Sequence, residues 1–138
     1  MNRTLAIIKP DATGSGKAGK VLAHLEAAGF TLRGARMTQL SRAQAQAFYE
    51  VHKDRPFYDS LVEFMTSGPC IPMVLEAGGA VLKLRETIGA TDPAEAADGT
   101  VRKLFAESKE RNAIHASDSD ENAAREIGFF FSEAEVIG

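Results

Sequence analysis

Apolar residues along this chain change repeatedly between short continuous runs and helical spacing, and each change marks an element. Residues 4–8 are an apolar run closed by Lys9 and Pro10, which reads as a short buried strand. Gly14, Gly16 and Gly19 turn the next stretch into a loop, after which Val21, Leu22, Leu25 and Ala28 recur with helical spacing until Gly29. Residues 31–40 read as a second strand with imperfect alternation around Gly34. Ser41 and Gln44 then form a capping-box pattern that opens a helix through Phe48. A short helical segment covers residues 60–65, beyond the break at Arg55 and Pro56. Residues 70–75 form a third strand, and Val81, Leu84 and Ile88 mark the inner face of a helix stopped by Gly89. Residues 91–111 have little periodicity beyond a helical turn after Thr100. A fourth, short strand at residues 113–115 follows, and a last helix buries Ala123, Ile127, Phe130 and Phe131.

The order of elements suits an α+β fold of the ferredoxin-like, split βαβ kind: a sandwich of a four-stranded antiparallel sheet covered by helices. Pro72 strains this reading. It falls early in a strand that the topology makes central, where proline is confined to strand starts and bulges, so a local bulge is expected there. With 138 residues and no repeat or linker, residues 1–138 read as a single domain. The net charge of −3 argues against broad nucleic-acid binding, which needs a basic face. Cys70 is the one cysteine and lies in an apolar run, so it reads as a small core residue in a reducing compartment. Neither a signal peptide nor a stretch of membrane-spanning length is visible, and the expected location is the cytoplasm.

The richest chemistry lies in Asn112-Ala113-Ile114-His115-Ala116-Ser117-Asp118-Ser119. Here a histidine leaves a strand and meets a helix start, with Asp118 and Glu121 in a capping-box pattern. Such an imidazole is rigid below and open to a ligand above. The glycine-rich Gly14-Ser15-Gly16-Lys17-Ala18-Gly19-Lys20 imitates a phosphate-cradling P-loop but has Val21 where the magnesium-binding hydroxyl is needed. It reads as a turn that starts a helix.

With these segments placed, the chain resembles a nucleoside diphosphate kinase from end to end. The resemblance is carried by Ile7-Ile8-Lys9-Pro10-Asp11-Ala12, His52-Lys53-Asp54-Arg55-Pro56-Phe57, Thr66-Ser67-Gly68-Pro69, Gly89-Ala90-Thr91-Asp92-Pro93, Gly99-Thr100-Val101-Arg102, the histidine segment and Phe129-Phe130-Phe131. It implies transfer of the terminal phosphate of a nucleoside triphosphate to a nucleoside diphosphate, by a ping-pong mechanism through a phosphohistidine. Neutral imidazole suits that role because it offers a nucleophilic nitrogen near physiological pH.

By the same resemblance His115 is the nucleophile, Glu126 and Ser117 position it, and the Tyr49 hydroxyl lies beside it. Arg85, Thr91 and Arg102 match phosphate contacts, and guanidinium groups suit paired phosphate oxygens. Lys9 and Asn112 match groups bonded to the sugar hydroxyls, with Lys9 also near the phosphates, and Phe57 the aromatic stacked on the base, a contact any base satisfies. Arg55 and Pro56 shape their loop. Mg2+ is expected to arrive on the nucleotide phosphates, with no protein side chain assigned as its ligand; Asp118 is read first as a cap. His24 and His52 are expected to be exposed and uninvolved.

Three positions depart from the family pattern. Ala116 replaces a glycine, which matters only if φ there is positive. Lys109 stands where an apolar side chain usually covers the second face of the base, and Lys103-Leu104-Phe105 differs from the common acidic or small residue before the aromatic. None removes a group the chemistry needs, which weighs against a nucleotide-binding regulatory module or a scaffold. The partners implied are nucleoside tri- and diphosphates, with ATP the main donor, and copies of the chain itself in a tetramer or hexamer; neither nucleic acid nor membrane is expected.

Overall fold

A computed structural model describes residues 2–138. Strand β1 (Arg3–Ile8) leads directly into a short helix α1 (Pro10–Gly14), and helix α2 (Ala18–Ala27) returns the chain to strand β2 (Thr31–Ala35). Helix α3 (Arg42–Phe48), a 3-10 turn (Glu50–His52) and helix α4 (Tyr58–Met65) precede strand β3 (Ile71–Glu76). Helix α5 (Ala80–Ile88), helix α6 (Val101–Phe105), strand β4 (Ile114–Ala116) and helix α7 (Asp120–Phe130) complete the fold, followed by a 3-10 turn at Glu133–Glu135.

The sheet order is β2-β3-β1-β4 and every pairing is antiparallel, as the ferredoxin-like reading requires. β1 is buried along almost its whole length, because its alternate residues feed two cores. Ala6 and Ile8 pack with Val21, Leu25, Leu84 and Ile88 beneath α2 and α5. Leu5 and Ile7 pack on the opposite face with Phe48, Val62, Met65 and Phe130 of α3, α4 and α7. Helices therefore cover both faces of the sheet.

Several local expectations need correction. β2 ends at Ala35; beyond it only an isolated bridge joins Thr38 to Cys70. The bulge lies at Arg33 in β2, where the register shifts between Leu32 and Gly34, and not at Pro72. Pro72 pairs with Ile7 in an unbroken β1–β3 ladder. Its carbonyl accepts the Arg36 N–H at 3.1 Å, so its missing N–H faces the side where β2 has already stopped. The glycine loop is partly helical: Pro10, fixed in φ, occupies the first position of α1. The capping box at Ser41 and Gln44 forms as expected. At α7 the cap is Ser119, which accepts the Asn122 N–H at 3.1 Å, whereas Asp118 accepts from the Asn122 side chain at 2.6 Å. Ser119 wins because its hydroxyl is the one placed to reach the third helical N–H.

Candidate active site

Strand β4 carries the central histidine. Its register against β1 places His115 opposite Ile7, two residues before Lys9, so one buried strand supports both groups. Helix α7 begins at the end of β4 and folds back over it, bringing Glu126 beside the imidazole. Glu126 is buried, and its Oε1 lies 2.7 Å from His115 Nε2 while accepting the Ser117 hydroxyl at 2.9 Å. This geometry assigns the proton to Nε2 and leaves the Nδ1 lone pair without a hydrogen bond among the described residues. Phe48 and Tyr49 meet the imidazole edge-on, at centroid distances of 5.3 and 6.1 Å, and hold its plane.

The histidine opens into a cavity of about 510 Å³. Lys9, Tyr49, Phe57, Arg85, Thr91, Arg102, Asn112, His115 and Glu126 all line it. Ser117 does not; it lies fully buried beneath, holding Glu126. The Tyr49 hydroxyl is buried without a hydrogen-bond partner among the described residues, and burial pushes its pKa up, so it is a neutral donor.

Cations outnumber carboxylates in the cavity lining. Arg102 is buried; its guanidinium donates to the Gly89 carbonyl at 3.1 Å and the Ile114 carbonyl at 2.8 Å, while its Nε has no partner among the described residues. Burial and the nearby Arg85 lower its pKa to about 10. Gly89 permits this arrangement: its φ is 90°, and a Cβ there would fall 2.6 Å from the Thr100 hydroxyl. Lys9 is also buried; its ammonium donates to Asn112 Oδ1 at 2.8 Å. Burial first, and Arg102 second, lower its pKa to about 8. Among the described residues none of Lys9, Arg85 and Arg102 forms an ion pair with a carboxylate. Buried cations normally have such partners. Two of them, Lys9 and Arg102, converging with the exposed Arg85 and without such a partner, give the electrostatic form of an anion site.

Further residues join the site. His52 lines the cavity and its ring stands 5.5 Å from that of Phe57, so it is neither exposed nor remote; Val51 and Leu61 lie beside them, giving this end an apolar wall. Glu110, Asn122 and Arg125 also contribute. His24 is half-buried with Nε2 2.7 Å from the Gly99 carbonyl, outside the cavity, so the expectation of an exposed histidine fails there too. Lys17 of the glycine loop points to the Phe105 carbonyl, which disposes of the P-loop imitation. Ala116 does not have a positive φ, so its methyl group is accommodated without strain. The left-handed residue is Ala113, at φ 73°, a conformation that costs an ordinary residue about 1–3 kcal/mol. Nothing in the local sequence marks it, because its bonds reach residues about a hundred positions away.

An imidazole with one nitrogen tethered and the other free, facing unpaired cations on a ferredoxin-like sheet, defines a phosphotransferase site. The comparisons say which. The sequence profile of the nucleoside diphosphate kinase family matches residues 2–136, and the chain belongs to that family. The nucleoside diphosphate kinase of Chlorobium luteolum is 55% identical over 137 residues, covering 99% of this chain and 98% of its own. That of Desulfatibacillum aliphaticivorans is 52% identical over 138 residues, with both chains covered in full. The solved nucleoside diphosphate kinase of Aquifex aeolicus superposes with a TM-score of 0.96 at 45% identity, covering 99% of each chain. A halophilic one from Halobacterium salinarum, in complex with CDP, gives 0.94 at 35% identity, covering 100% of this chain and 93% of that one. The chain is accordingly a phosphotransferase that moves phosphate between nucleotides through a phosphohistidine, in two ping-pong half-reactions.

Proposed function

We propose that His115 carries the phosphoryl group and that the lined cavity seats one nucleotide at a time. The observation that carries this is the tethered Nε2 of His115 with Nδ1 free, in a cavity shared with Lys9, Arg85 and Arg102, none of which is ion-paired to a carboxylate among the described residues. In the first half-reaction the Nδ1 lone pair attacks the terminal phosphorus, the bond to the bridging oxygen breaks, and its electron pair leaves with the diphosphate. The ring becomes cationic, and Glu126 stabilises the Nε2 proton it retains. A second diphosphate reverses these steps.

Arg85, Arg102 and Thr91 bind the phosphates, and the unpartnered Tyr49 hydroxyl donates to the phosphoryl oxygens as charge spreads over them. Lys9 and Asn112 take the sugar hydroxyls, and the Lys9 ammonium also faces the phosphates. Asn112 is oriented for this from both ends, by Lys9 and by a 3.2 Å bond from its amide to the Thr91 carbonyl. Phe57, exposed at the apolar end of the cavity, stacks on the base. The CDP held by the halophilic relative supports a pyrimidine nucleotide fitting the same cleft. ATP is the principal donor.

A divalent metal suits this reaction, and the donor set fits one carried by the substrate. Among the described residues no group of three metal-ligating side chains exists, while Asp118 lines the cavity with its carboxyl held below the usual carboxylate range by the Asn122 amide. Mg2+ arriving with the nucleotide would be held near Asp118 and would supply screening of the developing charge.

Residues 1–138 act as one domain, supported by two cores that share one sheet. A homo-oligomer, tetramer or hexamer, is supported by the half-exposed edge strand β2. Among the described residues no helix is long and apolar enough to cross a membrane, and Cys70 is buried; both agree with a cytoplasmic location.

Brief incubation with γ-labelled ATP and magnesium, intact-mass analysis and a GDP chase tests the reading. One acid-labile phosphate on His115 that passes to GDP is expected. A phosphate on another residue, or direct transfer with no phosphoenzyme, overturns it.

A further inference from the structure

Asp11 is buried in the first turn of α1, with 3% of its surface exposed, in a position that no phosphate or sugar contact requires. Its Oδ2 accepts the backbone N–H of Ala113 at 3.0 Å, and its Oδ1 is buried without a hydrogen-bond partner among the described residues. A carboxylate half satisfied in the interior is an expensive way to hold one N–H, so the group it holds repays inspection. That group is Ala113, the one non-glycine residue with positive φ among those described.

The Ile114 N–H donates back to the Asn112 carbonyl at 2.9 Å, which with φ 73° makes Ala113 the centre of a γ-turn of the rare, strained hand. Both sides of the turn are gripped by one segment. The Lys9 N–H donates to the Ala113 carbonyl at 2.9 Å, Lys9 Nζ reaches Asn112, and Asp11 takes the Ala113 N–H. Upstream of the turn is Asn112, oriented by Thr91; downstream, two residues on, is His115, registered against Ile7. The turn thus sets the distance and angle between the group assigned to the sugar and the nucleophile. Relaxed to negative φ, it would withdraw one of them from its partners.

We infer that Asp11 is a positioning residue of the transfer reaction: by fixing Ala113 in a left-handed turn it aligns His115 with the nucleotide anchored at Asn112. The inference rests on the reading of His115 as phosphoryl carrier. Asp11 acts through Ala113, and its hydrogen-bonding oxygen, not its charge, is the working part.

The experiment measures the single-turnover rate of phosphoenzyme formation from ATP and, separately, ADP affinity. Asp11→Ala is expected to slow phosphorylation on the order of 100-fold while ADP affinity changes several-fold at most, as an ångström-scale misalignment would. Adding Ala113→Gly, which takes positive φ freely, should recover at least about tenfold of that loss without restoring any carboxylate. Asp11→Asn, whose amide oxygen can accept the same N–H, should retain most of the rate. An unaltered rate in Asp11→Ala, a loss that Ala113→Gly leaves untouched, or a loss in Asp11→Asn as large as in Asp11→Ala overturns the inference. So does an Asp11→Ala protein that fails to fold with and without Ala113→Gly, which would make Asp11 a stability residue. If the wild type itself carries no phosphate on His115, the underlying reading has failed instead, and the two failures are distinct.

Discussion

Glu126 Oε1 stands 2.7 Å from His115 Nε2, eleven residues along the chain and on a different element. The contact fixes the tautomer and aims the opposite nitrogen. Glu126→Ala should therefore slow phosphoenzyme formation by about 100-fold, the scale on which small misalignments act. Glu126→Gln, which can still accept the Nε2 proton, should lose less. Rapid-quench phosphorylation assays check the order, and equal losses would contradict a role in orientation.

His115→Ala should reduce transfer by at least about 10⁴-fold, as loss of a covalent nucleophile does. ADP should still bind, because Lys9, Arg85 and Arg102 remain. Residual turnover within about tenfold of wild type would remove His115 from the mechanism.

The low pKa of Lys9, about 8, gives a pH signature. Below that value the ammonium is charged with or without ligand. Above it, binding phosphate must draw a proton from solution, so affinity should fall by up to about tenfold per pH unit as pH rises past 8. Calorimetric ADP titrations in buffers of different ionisation enthalpy should register proton uptake, which Lys9→Gln should remove. The same uptake in the variant would assign the proton elsewhere.

Phe57 is 45% exposed at the apolar end of the cavity. Phe57→Ala should weaken nucleotide binding by about 1–3 kcal/mol for purines and pyrimidines alike, because stacking does not read base edges. Competition binding with the common diphosphates would show this. A loss confined to one base would mean specific recognition instead.

Ala116→Gly restores the residue usual in the family at this position. Since φ is not positive, glycine gains nothing and adds chain entropy, so thermal unfolding should show a loss of about 0.5–1 kcal/mol. A stabilised variant would indicate strain at Ala116.

Much of this was readable from the chain. Four strands and their order along the chain follow from apolar spacing, because Ile7, Val74 and Leu84 obey simple periods, while the site residues come from the family resemblance, and nine of the ten line one cavity. What escaped depends on contacts between distant segments. The bulge at Arg33 answers a mismatch between two strands, and no property of Pro72 predicts it. The choice of Ser119 over Asp118 as cap turns on a backbone angle that both residues could adopt. Asp11 and Ala113 carry no signal at all in their neighbourhoods, since their partnership spans 102 positions. His52 reads as a surface residue until the 3-10 turn brings it to Phe57.

Lys9, Arg85 and Arg102 converge without an ion pair to a carboxylate among the described residues, and Arg102 is held against both of the others. Polyphosphate bound to the folded form alone would relieve that repulsion and add to the stability of the fold, the more so the further its concentration exceeds its dissociation constant.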